Sequence, residues 1–170
     1  MKIGYTKISA QGELDLLLSD VAHQLEADGK RCMGIVQINS DRDNCHRCDM
    51  DVQVLSGGPK IRISQDLGND SHGCRLNPDA MAQAIAGVEQ RMQDGFDVFL
   101  LNKFGRQESE GKGFRELLGD AAAAGATILV GTNGLNESSF IEFSGGEAEF
   151  VAPNKTAILS WLGDPERICA

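Results

Sequence analysis

Two short apolar runs constrain this chain more than anything else in it: Val98-Phe99-Leu100-Leu101 and Ala126-Thr127-Ile128-Leu129-Val130. A strand with one face in water alternates apolar and polar residues, and these two do not alternate. Both of their faces must therefore be covered, which calls for helices above and below a largely parallel sheet. The chain supplies such helices. Residues 13–28 set Leu14, Leu17, Leu18, Val21, Ala22 and Leu25 at helical spacing, with Glu13 and Asp15 in the first turn and Gly29 just past the end. Pro78 after Asn77 opens a second helix that runs to about Asp94, with Asn77 as its cap. Residues 113–124 form an alanine-rich third, and 154–162 a last one capped by Asn154.

Between the helices lie further strands at residues 2–8, 31–38 and 148–151. Residues 49–55 alternate cleanly, with Met50, Val52 and Val54 on one face, and residues 60–64 return after Ser56-Gly57-Gly58-Pro59. This pair reads as an antiparallel hairpin. The expected fold is a three-layer α/β domain over residues 1–163, mostly parallel with one antiparallel hairpin, followed by a loose tail at 164–170. In such a sheet, ligands gather at the carboxyl ends of the strands. The first strand and the strand at 98–101 are expected side by side, so that the turns after them share a pocket.

A net charge of −9 argues against a sequence-independent grip on nucleic acid or an anionic membrane. No apolar stretch is long enough to span a bilayer, and MKIGYTKISAQG lacks the apolar core of a signal peptide. The cytoplasm is the expected compartment, and the five cysteines are then expected as thiols rather than a disulfide framework.

Three stretches carry candidate chemistry. The first strand-to-helix turn holds Thr6, Lys7, Ser9 and Gly12, where an anion site belongs in this architecture, but the Walker A pattern G-x-x-x-x-G-K-[ST] is absent. Glu13 and Asp15 would set negative charge beside any phosphate bound there. An ordinary turn is the plainer reading of that stretch. The rim after residue 101 holds Asn102, Lys103, Arg106, Glu108 and Glu110, the densest charged cluster of the chain. Asn102-Lys103-Phe104-Gly105 lacks the aspartate of the guanine-reading N-K-x-D element, and a solvated loop explains the cluster equally well. Arg62 (with Arg75) could clamp an oxyanion or pair with Asp49, Asp51 or Asp66, and Asn133 could read a ligand edge or shape a turn. Finally, Cys45-x-x-Cys48 with His72-x-Cys74 offers donors for tetrahedral zinc, set against the plainer reading of free thiols. Cys32, inside a strand, reads as core.

The runs CDMDVQVLSGGPKIRISQDLG, GCRLNP and LLNKFGRQESEGKGFR resemble a bacterial family known as a domain of unknown function, whose members are sometimes labelled NTPase-like or related to molybdenum transport. The layout also resembles the thermophile-type nucleoside-triphosphatase, a P-loop fold. That resemblance implies a phosphate loop at residues 7–12, a hairpin at 49–64 and a metal-binding acidic strand end at 102–108. This chain departs from the pattern at the first and the third. The resemblance therefore implies the fold more than the hydrolysis. Three functions stay open: a P-loop-like protein binding a nucleotide with Mg, or another small anion, without efficient hydrolysis; a cysteine-based metal protein; or a non-catalytic interaction module, with a homodimer as one form.

Overall fold

The computed structural model describes residues 1–10, 12–40, 49–65 and 76–163. The first strand, β1 (Ile3–Thr6), leads into α1 (Glu13–Ala27) and then β2 (Cys32–Ser40). The hairpin follows as β3 (Asp49–Val54) and β4 (Lys60–Arg62). Next come α2 (Pro78–Met92), β5 (Val98–Phe104), α3 (Arg106–Ser109) and α4 (Arg115–Ala123). The chain continues through β6 (Thr127–Thr132), α5 (Glu137–Phe143), β7 (Glu149–Phe150) and α6 (Lys155–Gly163). The sheet has seven strands in the order β4-β3-β2-β5-β6-β1-β7. β3 is antiparallel to both of its neighbours, and the other pairings are parallel.

The apolar runs do what their lack of alternation demands. Along β5, Phe99 and Leu101 enter a cluster with Ala84 and Val88 of α2, Leu118 of α4 and Phe140 of α5. Val98 and Leu100 enter the opposite cluster, with Leu18 and Val21 of α1 and Ile158 and Trp161 of α6. The central strands are thus covered on both faces, and each fully buried Leu or Phe contributes about 1.5–3 kcal/mol. Asn77 caps α2 as its position before Pro78 suggests, its side chain accepting from the N–H of Asp79 (3.0 Å) and of Ala80 (3.3 Å). Asn154 likewise accepts from Ala157 N at 2.8 Å at the head of α6.

Several expectations need correction. β1 and β5 run the same way but are not neighbours, because β6 lies between them. β5 is the middle strand of the seven, and β6 fills the place beside it that β1 was expected to take. β5 extends to Phe104, which puts Asn102 and Lys103 inside the strand rather than in the loop after it. The segment after β5 is not a plain loop: α3 makes one turn there, and α4 starts at Arg115 rather than at residue 113. The hairpin is antiparallel as expected, but β4 closes at Arg62. Residues 164–170 lie outside the described residues, so the loose tail stands only as an expectation.

Candidate functional site

In register across the carboxyl ends of three parallel strands lie Thr6, Gly131 and Asn102. They form the floor on which the head of α1 rests. A side chain on Gly131 would meet Leu18 Cδ1 at 2.7 Å and Leu14 Cδ2 at 3.1 Å, so only glycine lets the helix sit this low. Gly12, at φ +79°, heads the helix. Taking it as the second glycine of a phosphate loop, Glu13 and Leu14 stand where a lysine and a Ser/Thr would be required. Leu14 is 6% exposed and fills the space over Gly131.

Lys7, the nearest cation in this turn, pairs with Glu137 of α5. The other Glu137 oxygen accepts from the Tyr5 hydroxyl at 2.8 Å. The bonds from Lys7, then Tyr5, hold the Glu137 carboxyl below its ordinary range. Burial, then the same carboxylate, pushes the Tyr5 phenol up. The lysine that would have met a phosphate thus already has a carboxylate beside it. Ser9 is exposed in the same turn.

The most unusual side chain at this rim is Asp15, in the first turn of α1 and 6% exposed. One carboxylate oxygen accepts from Asn102 Nδ2 at 2.8 Å and the other from Asn39 Nδ2 at 2.6 Å. Among the described residues no lysine or arginine pairs with it. Asn102 is 2% exposed, and its Oδ1 has no hydrogen-bond partner among the described residues. The hydroxyl of Thr6, fully buried, has none either. Sequence reasoning singled out Asn102 but missed Asp15 and Asn39 as its partners. The signal for Asp15 was present: it lies three residues before Leu18 and seven before Ala22, on the buried stripe of α1.

The remaining candidates are spread apart. Lys103 is exposed at a register shift between β5 and β6. Arg106 pairs with Glu110 one turn on, at 2.9 Å on the surface. Glu108 is 4% exposed and both of its oxygens are engaged, by Gly105 N–H at 3.0 Å and Phe114 N–H at 3.1 Å. It ties α3 to the start of α4. Asn133 shapes its own turn, accepting from the N–H of Leu135 and of Asn136. Arg62 is three strands away from β5 on the sheet edge, bound to Asp51 at 2.8 Å and Asp49 at 3.0 Å. The Arg62 bond holds the Asp51 carboxyl below its ordinary range against the opposing effect of burial. Lys7, Lys103 and Arg62 therefore do not converge on one cleft. The zinc candidates Cys45, Cys48, His72 and Cys74 lie outside the described residues, as do Asp66 and Arg75. Among the described residues no group of three or more His, Cys, Asp or Glu is placed to hold a metal. Cys32 is buried core, its thiol pushed up to about 12 by burial.

Residues 3–161 match the family described as "Protein of unknown function (DUF2478)". The chain belongs to this family. It is 34% identical over 155 residues to "Molybdenum import ATP-binding protein ModC 2" of Bradyrhizobium diazoefficiens, a match covering 91% of this chain and 17% of that relative. The DUF2478 chain thus spans about a sixth of the length of the curated relative it matches. Its fold is that of THEP1 from the hyperthermophile Aquifex aeolicus, with a TM-score of 0.64 at 18% identity, covering 96% of this chain and all of that one. A human cancer-related nucleoside triphosphatase shares the fold at a TM-score of 0.58 and 16% identity, over 88% of this chain and 87% of its own. The α/β, P-loop-NTPase-like architecture is thereby established. Among the described residues no helix is long and apolar enough to cross a membrane.

Proposed function

We propose that this chain binds a nucleotide at the carboxyl rim of its sheet without efficient hydrolysis, as a unit of cytoplasmic molybdenum handling. The observation that carries the reading is a replacement within a retained frame. The glycine-headed α1 and the end of β5 stand where this fold works on nucleotides, yet Glu13, Leu14 and Asn102 occupy the positions for a phosphate lysine, a Ser/Thr and a metal-holding carboxylate. Without the lysine and the Ser/Thr the transferring phosphoryl group is not clamped for hydrolysis. Glu13 and Asp15 repel bare phosphate, so the ligand enters as its Mg2+ complex, in which much of that charge is neutralised. The molybdenum part is supported by the 34% identity to a protein named for molybdenum import.

Calorimetry on the purified chain with ATP, GTP and molybdate, each with and without Mg2+, tests the binding. A nucleotide signal only with Mg2+, and no phosphate release above the blank, is the expected result. Phosphate release that scales with enzyme and survives repurification would overturn the non-hydrolytic reading. Silence for both nucleotides would overturn the binding. Growth of a deletion strain on limiting molybdate tests the link to that metal, and unimpaired growth would remove it.

A further inference from the structure

We propose that Asp15 and the carbonyl of Asn102 form a seat for one hard divalent cation, Mg2+ in the cell, which the chain takes up without nucleotide. The proposal rests on the reading that the head of α1 is the ligand end of the molecule. Its first support is charge. Asp15 is 6% exposed, and the partners seen among the described residues are two neutral amides. A buried carboxylate calls for a counter-charge. The positive end of α1 supplies part of one, and Glu13 in the same turn draws on that same end.

The second support is the unpartnered oxygen. Asn102 Nδ2 donates to Asp15, and a flipped amide would set oxygen against oxygen, so the orientation of this side chain is fixed by chemistry. Oδ1 hangs on the same carbon as Nδ2, which places the free acceptor beside the carboxylate. Asn102 is 98% buried, and this oxygen has no partner among the described residues. A buried acceptor next to a buried anion calls for something positive or rich in donors, never for a phosphate.

The donor set narrows the choice. Every available atom is oxygen, which suits Mg2+ or Ca2+ rather than the nitrogen- and sulfur-loving zinc. Mg2+ is commonly held by one or two carboxylates and keeps several waters, so one aspartate and one amide are enough. Asn39 is exposed, which leaves the seat an approach from solvent. Thr6 does not share the seat. It lies beyond Gly131, two strands from Asn102, with Leu14 and Leu18 over the gap. The arrangement differs from the metal site expected of the fold, since Leu14 and Asn102 replace the residues that site would use. The carboxylate comes instead from the helix, one position later.

The test is electron paramagnetic resonance of Mn2+ alone, titrated into the full chain without nucleotide. One bound Mn2+ per chain, displaced by Mg2+, is expected. Asp15→Asn should weaken binding at least about tenfold, and Asn102→Asp, which adds a carboxylate, should tighten it by about tenfold. A second carboxylate there would attract a cation in any case, so the binding by the wild type and its loss in Asp15→Asn decide. Circular dichroism identifies variants that fail to fold, and the Mg2+-dependent rise in melting temperature of the wild type then stands as the second measurement. No bound Mn2+ at millimolar concentration, or binding unmoved by both substitutions, would overturn the proposal. Nucleotide bound by a chain that takes up no Mn2+ on its own sinks the cation seat alone. Mn2+ bound with no nucleotide affinity sinks the nucleotide reading alone.

Discussion

Two of the buried carboxylates near the carboxyl rim of this sheet, Glu108 and Asp15, are held in opposite ways. Glu108, in the segment after β5, has its demand met by the backbone around it, through the N–H groups of Gly105 and Phe114, while its own carbonyl accepts from Arg115 at 3.1 Å. Asp15, at the head of α1, is met by side chains from two other strands, and one of those side chains keeps a free oxygen. The first arrangement is closed: any ligand there would have to displace bonds that hold α3 and α4 together. The second is open, because it was assembled by tertiary packing and its charge has no counter-ion among the described residues. Burial alone does not mark an acidic residue as functional. What marks it is whether its own loop has already used its lone pairs.

The comparison breaks first at Glu108. Glu108→Ala would leave two N–H groups without their acceptor at the joint of α3 and α4, at a cost of about 3 kcal/mol. Urea unfolding measures this, and Mn2+ affinity should stay unchanged. A loss of cation binding in a folded Glu108→Ala protein would mean that the closed site is a ligand site after all. A smaller loss, about 2 kcal/mol, is expected for Gly113→Ala. Gly113 sits at φ +60°, and an added Cβ would come within 2.3 Å of Glu108 Oε1. The open site gives a lower figure. Asn39→Ala removes one donor from Asp15 at the exposed edge and should cost about 1 kcal/mol without Mg2+. Adding Mg2+ should shrink that loss, because the cation takes over the missing compensation.

The same contrast explains what was legible beforehand. The double-faced burial of β5, the caps at Asn77 and Asn154 and the hairpin all follow from local pattern, and local pattern is what a sequence displays directly. Glu108 was visible as a charged residue in a charged loop, and nothing in the sequence distinguishes a solvated glutamate from one folded back onto its own backbone. Asp15 was hidden for a different reason. An acid in the first turn of a helix is so well explained by the helix dipole that the dipole masks its place on the buried stripe. The strand order escaped as well. That β6 separates β1 from β5 depends on which strand inserts beside β5, and runs so alike in composition do not rank themselves. The pairing of Lys7 with Glu137 joins positions 130 residues apart. Neither position carries a mark that points to the other.

That pair supplies the smallest expected effect, and it lies between the two extremes. Glu137 is another rim carboxylate, but its side chain is 24% exposed and that of Lys7 40%, so water screens the interaction. Lys7→Ala should cost no more than about 0.5 kcal/mol at pH 7. The sign with pH follows from the direction of the shift. The Glu137 carboxyl lies below its ordinary value of 4.5 in the folded chain, through Lys7 first and Tyr5 second. Its contribution is therefore complete above about that pH and is lost as pH falls through the lower folded value. Wild type and Lys7→Ala should differ slightly near neutrality and converge in acid, and the gap should narrow in high salt. A gap of several kcal/mol, or one that widens in acid, would show that Lys7 does more at this rim than neutralise Glu137. It would reopen the turn after β1 as an anion site in its own right.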